Sequence, residues 1–236
     1  VDQAALDNAG TGGVWNGLTS SRPTVRLLPT EHGSTASRTR FGWTGGITAS
    51  AVATYDVRWR RAKWNASYGS WTRPGSWQRT PVVDVPLGMR KGWTYCVSVR
   101  ARNRAGLTSK WTGASCLARA LDDRRLHESS GWKSRNGKAY YAGSALVTRT
   151  RGASLTLPGA NLKRVGLVAT TCRTCGRVRV LVDGKKIKTV NLKASRTRRQ
   201  QVLMLPAFGK ERGTVTVQVR SNGRKVEVDG LVVSRS

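Results

Sequence analysis

Alternation with a period of two residues, broken at short intervals by glycine-bearing turns, is the feature that most restricts how this chain can fold. In "RVRVLVDGKKIKTVNL", Val178, Val180 and Val182 share one face and Arg177 and Arg179 the other. Asp183-Gly184 is a two-residue turn signal, and Lys186 and Lys188 flank an inward Ile187 on the returning strand. "TVTVQVRSNGRKVEVDGLVV" repeats the scheme around Asn222-Gly223, which predicts a second hairpin. Earlier, "YDVRWR" sets Tyr55, Val57 and Trp59 against Asp56, Arg58 and Arg60. "YCVSVRAR" likewise sets Tyr95, Val97, Val99 and Ala101 against Cys96, Ser98, Arg100 and Arg102. No amphipathic helix longer than two turns is visible, so the expected fold class is all-β, built as antiparallel sandwiches.

A chain of 236 residues has room for two such domains. The seam is expected at "LARALDDRRL" (117–126), where one run of strands ends and the pair Asp122-Asp123 opens the next. This gives a first sandwich over 22–120 and a second over 121–236, with the small, polar residues 1–21 as a lead-in. No apolar run approaches the ~20 residues that a membrane-spanning helix needs.

Residues 22–120 resemble a fibronectin type III domain. The resemblance is carried by Trp43 in "RFGWTGG", by "YDVRWR", by "PLGMRKGWTYCVSVRARNRAG" and by "SKWTGASC". It implies that the Tyr95 hydroxyl caps the corner before its strand. The family ordinarily lacks cysteines, and Cys96 and Cys116 are similar to a variant found in secreted actinobacterial proteins. Residues 121–236 look like a jelly-roll sandwich similar to galactose-binding-like carbohydrate modules, on "GWKSRNGKAYYAGS", "GLVATTCRTCGRVRVLVDGK" and "VEVDGLVV". Both families are predominantly non-catalytic, which the resemblance implies for this chain.

Four cysteines permit three pairings. A zinc knuckle at Cys172 and Cys175 would need a second pair of ligands nearby, and a redox pair would need a helix N-terminus; neither is evident. The reading adopted is two local disulfides: Cys172–Cys175 across a hairpin turn, and Cys96–Cys116 tying the sixth strand to the chain just past the seventh. Local pairing of an even number of cysteines points to an oxidising compartment, hence a secreted or cell-surface protein.

The sequence offers little for catalysis. His32 and His127 lie in polar, loop-like text, and no nucleophile elbow, zinc-protease helix or phosphate-binding glycine loop is present. The chain reads as a non-enzyme without a small-molecule cofactor. A metal is not expected, the one cation reading being a calcium held by Asp122, Asp123 and Asp229.

What remains is charge and aromatic surface. The chain carries 42 Lys and Arg against 12 Asp and Glu, a formal +30. Between 173 and 199 ten cations stand against Asp183 alone. Of these, Arg173, Arg177, Arg179, Lys185, Lys186, Lys188, Arg196, Arg198 and Arg199 are the candidate polyanion-binding residues. Charge presented by both hairpin strands on one outer face, beside the basic loop "KASRTRRQQ", would make that surface. Trp64, Tyr68 and Trp71 in "KWNASYGSWTRPGSWQRT" are the candidate glycan platform. The competing expectation is that tryptophans here separate Arg58 and Arg60 from Arg100 and Arg102 through cation–π stacking.

The sequence therefore predicts a non-catalytic, secreted or surface-held protein, bacterial by its resemblances. Its expected partner is an anionic cell-envelope polymer or acidic polysaccharide. The rival readings are a neutral carbohydrate-binding accessory of a hydrolase, a structural spacer, and a nucleic-acid binder, the last disfavoured because no recognition module is visible.

Overall fold

The computed structural model describes residues 21–46, 51–209 and 211–236, so the expected lead-in lies outside the described residues save for Ser21. The first half holds β1 (Val25–Leu27), β2 (Gly33–Ser34), β3 (Arg38–Gly45), β4 (Val52–Lys63), β5 (Asp84–Gly88), β6 (Trp93–Asn103) and β7 (Ser115–Arg119). A three-stranded sheet, β1-β3-β5, faces a four-stranded one, β2-β7-β6-β4. The expected alternation is obeyed where it matters. Tyr55, Val57, Tyr95, Val97 and Val99 are buried with Phe41, Trp43 and Val85 between the sheets. The Arg90 amide donates to the Tyr95 hydroxyl at 3.0 Å, so the expected tyrosine corner is present. Cys96 stands directly opposite Cys116 in the β6–β7 ladder and is bonded to it. Cys116 therefore lies inside the last strand rather than beyond it.

The second half holds β8 (Leu121–Asp122), β9 (His127–Glu128), β10 (Lys133–Asn136), β11 (Ser144–Thr148), β12 (Ser154–Leu162), β13 (Arg164–Thr171), β14 (Arg177–Val182), β15 (Lys185–Asn191), β16 (Arg198–Met204), β17 (Glu211–Val219) and β18 (Val226–Ser234). One sheet runs β10-β11-β18-β13-β16 with β8 beside β18; the other runs β15-β14-β17-β12-β9. Leucine and valine from the two inner faces fill the space between them, Leu155, Leu157, Leu167, Val178, Val180, Val215, Val217, Val228 and Leu231 among them. Among the described residues all strand pairs are antiparallel except the short β2–β7 contact and two isolated bridges, Cys172 with Lys193 and Cys175 with Lys225. No helix of the described residues is long and apolar enough to cross a membrane.

Two expected hairpins are absent, and this shapes everything that follows. The Asp183-Gly184 turn does join β14 to β15, with φ of 46° and 78° at its two residues, a left-handed pair that asparagine, aspartate and glycine tolerate best. But β13 and β14, on either side of Cys172–Cys175, belong to opposite sheets, as do β17 and β18 on either side of Asn222-Gly223. Those turns are corners that carry the chain from one sheet to the other. A glycine-bearing turn between two alternating runs is common to both topologies, and only long-range pairing separates them.

The two sandwiches meet along β7 and β18. Ala118 and Ala120 from the first pack on Tyr141, Val168 and Val232 of the second, with Met204 and Val202 at the margin. Because that contact covers one face of β18 and the core covers the other, every residue of the strand is buried. Hydrogen bonds cross the seam as well: Asn161 N–H donates to the Trp64 carbonyl at 2.8 Å, and the Tyr141 hydroxyl to the Ala120 carbonyl at 2.9 Å.

Candidate functional site

Three sheet-crossing corners converge at one end of the second sandwich. The first (172–176) links β13 to β14, the second (192–197) links β15 to β16, and the third (220–225) links β17 to β18. Backbone bonds lace them together. Cys172 N–H donates to the Leu192 carbonyl and Ala194 N–H to the Cys172 carbonyl, both at 3.0 Å; Gly176 N–H donates to the Lys225 carbonyl at 2.8 Å. Arg177 N–H donates to the Ser221 hydroxyl at 2.7 Å. The Cys172–Cys175 disulfide closes the first corner, which lies between the other two, and both cysteines are buried, so the clip is a fixed pivot between its neighbours. Gly176 is required by the close approach: a side chain there would place a Cβ 2.9 Å from Ser221 and 3.2 Å from the Cβ of Arg224.

Two hollows flank the clip. One, of about 290 Å³, is lined by Cys172, Arg173, Thr174, Ser195, Arg196, Thr197 and Lys225. The other, of about 200 Å³, is lined by Cys175, Gly176, Arg177, Asn191, Lys193, Ser221 and Arg224. Six cations therefore ring the clip, interspersed with hydroxyl and amide groups, and no acidic side chain lines either hollow. Glu227 is the counter-charge that reaches one of these cations among the described residues. It is buried, accepts a hydrogen bond from the Thr170 hydroxyl, and pairs with Lys225 at 3.4 Å. Arg173 braces the second corner by donating from Nε to the Ser195 carbonyl at 2.6 Å. The others have no carboxylate partner among the described residues, and Arg173, Arg177, Lys193, Arg196 and Arg224 are all exposed. The arrangement can hold an oxyanion from several sides with donors fixed by short, braced corners.

The expected single basic face is divided. Arg173, Arg177 and Arg196 reach the corner, and Arg198 lies beside it, opposite Thr171 in the β13–β16 ladder. Lys185 and Lys186 sit at the far end of β14, roughly 17 Å from Arg177 at ~3.3 Å per residue. Lys186 and Lys188 do not share a face. A bulge at Ile187 sets Lys186 opposite outward Leu181 but Lys188 opposite inward Val180, though both lysines are exposed on this edge strand. Arg179 is half-buried on the outer face of β14, and Arg199 leans over the Tyr140 ring at 5.8 Å. Lys193 was left out of the sequence-based set although it lies within the basic stretch, and Arg224 and Lys225 were missing from it altogether. Their signal would have been recognising that 220–225 is a corner adjoining the clip rather than a hairpin tip.

The three candidate platform residues are partly buried and each is engaged by other parts of the protein. Trp64 is half-buried against the core of the second sandwich, at the seam. Tyr68 lies between Arg60 and Arg235, whose guanidinium carbons are 4.5 and 5.2 Å from its ring. Trp71 is stacked with Arg58 and Arg60 at 4.4 and 4.6 Å. The Arg–Trp stacking expected instead is present, but its logic differs in one respect. Arg100 is paired across the strands with Asp56, not left facing a cation, and Asp56 also accepts from Arg102 and from the Arg79 amide.

The three aspartates read as a cation site are engaged otherwise. Asp122 pairs with Arg124 at 2.9 Å and Lys91 at 3.0 Å. Burial alone would raise its carboxyl, but these cations outweigh burial and hold it well below the usual range. Asp123 is buried and shifted upward by that burial and by Asp122. Asp229 is buried, accepts from the Tyr141 amide, and is raised to about 7, chiefly by burial. Among the described residues no group of three or more His, Cys, Asp or Glu side chains is placed to hold a metal. His32 lies in a cleft between β1 and β7, and His127 on edge strand β9.

No protein-family profile matches the sequence, and no curated protein matches it. Among solved structures, a family two carbohydrate esterase from Cellvibrio japonicus is similar at a TM-score of 0.37 and 16% identity, over 50% of this chain and 32% of that one. The CBM36-1 domain of a multidomain xylanase from the hindgut metagenome of Trinervitermes trinervoides gives 0.39 and 12%, over 50% and 96%. A β-1,3-glucan-binding CBM6 from Bacillus halodurans gives 0.41 and 11%, over 50% and 95%. The chain thus spans about a third of the esterase. Likeness at this level carries no argument about what the chain binds.

Proposed function

We propose that this protein is a non-catalytic, extracellular binding module that holds an acidic polysaccharide or other anionic envelope polymer at the clip corner. One observation carries the reading: three sheet-crossing corners gather Arg173, Arg177, Lys193, Arg196, Arg224 and Lys225 around two hollows that no carboxylate lines. A solubilising charge has no need of convergence, whereas an anion site does. The protein belongs outside the cell in this reading, since both cysteine pairs are oxidised and no free cysteine remains among the described residues. Its first sandwich is of fibronectin type III kind, for which the three-on-four sheet arrangement and the Tyr95 corner speak. The chain divides into 22–120 and 121–236, each with its own pair of sheets. A neutral-glycan module is disfavoured because Trp64, Tyr68 and Trp71 are engaged at the seam or by arginines.

The test is binding to polygalacturonate, with its methyl ester as the neutral control, at two salt concentrations. Affinity should fall steeply with salt, as bound counterions are released from the polymer. Arg196→Glu with Arg224→Glu should weaken it by tenfold or more, and Lys185→Glu with Lys186→Glu by much less. Binding that ignores salt and these charges would overturn the reading.

A further inference from the structure

The outer face of β4 carries a second cationic arrangement, on the other sandwich, that the clip corner does not involve. Residues 71–80 run back along the edge of β4, bonded to it at Trp59–Thr72 (2.7 and 2.9 Å) and Tyr55–Thr80 (2.8 and 2.9 Å). This lays Trp71 over the strand. From the other side, Thr112 N–H donates to the Val99 carbonyl of β6 at 2.9 Å, which brings Trp111 over the same face. The Arg58 guanidinium lies 4.2 Å from the Trp111 ring and 4.4 Å from the Trp71 ring. Arg60 lies 4.6 Å from Trp71, and Arg73 lies 5.4 Å from Trp111, which completes an Arg–Trp ladder.

We propose that Arg58, Arg60 and Arg73 form a second anion-binding site that takes planar oxyanions, the carboxylates of an acidic glycan, on guanidinium forks held in place by Trp71 and Trp111.

Stacking occupies the flat face of a guanidinium and leaves its five N–H donors in the plane, free for bidentate bonds to an oxyanion. The local carboxylate cannot supply those bonds. Asp56 is buried and already accepts from Arg100 (2.8 Å), Arg102 (3.4 Å) and the Arg79 amide (2.9 Å). Arg58 keeps a long bond from Nε to the Ser98 hydroxyl at 3.4 Å, and none of the three has a carboxylate partner among the described residues. The cations crowd one another. Burial and then the fields of Arg73, Arg60 and Arg100 push the Arg58 guanidinium down from its ordinary value. A bound anion would relieve that repulsion. The rings also fix long side chains that would otherwise lose rotamer freedom on binding, so the forks are pre-organised. Arg73 is exposed, and Arg58 and Arg60 are half-exposed, so the side chains are within a ligand's reach apart from the buried Nε of Arg60.

The experiment follows amide and indole resonances of the whole protein during titration with an oligogalacturonate, against its methyl ester. The free acid should shift the Trp71 and Trp111 indoles. It should do so equally in the variant carrying Arg196→Glu and Arg224→Glu, whose clip-corner amides no longer respond. Arg58→Lys keeps a cation on the rings but loses the fork, and Arg73→Gln removes an exposed fork; each should weaken the ladder response by about fivefold or more at unchanged melting temperature. Indoles that stay still while clip-corner amides shift would overturn this site and leave the corner standing. A ladder response unchanged in both variants would overturn it too. Indole shifts without any corner response would sink the corner reading alone.

Discussion

Asp229 carries its carboxyl into the middle of β18, where both faces of the strand are covered and water cannot solvate the charge. The groups that face it are acids as well: Asp122 on β8, Asp123 just after it, and Glu227 on its own strand. One of its oxygens accepts from the Tyr141 amide, and the other has no hydrogen-bond partner. The folded protein therefore favours the protonated form, with a pKa of about 7 against ~3.9 in an unfolded chain. The sign follows from linkage: this contribution is fully present below pH ~3.9 and is lost as pH rises through about 7. Asp229→Asn, which keeps an acceptor for the Tyr141 amide, should melt several degrees higher than the parent at pH 8 and no higher at pH 4. Thermal denaturation across that range checks it, and a parallel pair of pH profiles would refute it. Asp56 acts in a different window. Burial raises its carboxyl, but the Arg79 amide, Arg100 and Arg102 outweigh that, so its contribution is present above pH ~4 and lost only as pH falls further.

At the scale of elements, the clip shows how a local staple can matter more for binding than for stability. The loop closed by Cys172–Cys175 spans three positions in sequence, so removing the bond should cost about 2 kcal/mol in the chain-entropy view, against about 3 for the twenty-position Cys96–Cys116 loop. Yet the clip positions the hollows that hold Arg173 and Arg177, whereas Cys96–Cys116 joins neighbouring strands of the first sandwich. Replacing Cys172 and Cys175 by serine should therefore reduce polygalacturonate affinity by tenfold or more with only a modest drop in denaturant midpoint. Replacing Cys96 and Cys116 should lower the midpoint further and leave corner binding intact once the protein is folded; equal effects on binding would refute the distinction. The strands themselves were legible, because Val178, Val180 and Val182 declare a buried face by spacing alone. So were both cysteine pairs, because each pair lies within one of the two expected sandwiches. The site was legible only in part. Arg173 and Arg196 stood out as charges, but what brings Arg224 and Lys225 to them is the passage of β17 into β18 across the sandwich. No turn residue reports that. The bulge at Ile187 was equally hidden, since one extra residue in the ladder reverses the face of Lys188 without altering the local pattern.

The whole molecule carries +30 on 236 residues, and that field acts on folding and on binding with opposite signs. In the folded state the cations are brought closer than in an extended chain, most visibly in the Arg–Trp ladder and at the clip corner, so self-repulsion opposes folding. A few cations are relieved internally: Arg100 and Arg102 by Asp56, Lys91 and Arg124 by Asp122, Arg40 by Asp84. The seam between the sandwiches joins apolar contact among Ala118, Ala120, Val168 and Val232 to one attractive ion pair, Lys91 with Asp122. Raising salt from about 0.1 to about 1 M shortens the screening length from ~10 to ~3 Å. The repulsion between exposed arginines should weaken, the buried cores should be unaffected, and the melting temperature should rise. Over the same range the affinity for polygalacturonate should collapse, because counterion release loses its driving force. Calorimetry and binding in one salt series read both slopes. If the cations served only to balance acids, salt would lower the melting temperature by screening attractive pairs. If the polymer were gripped through neutral hydroxyls, its affinity would hold as the protein became more stable.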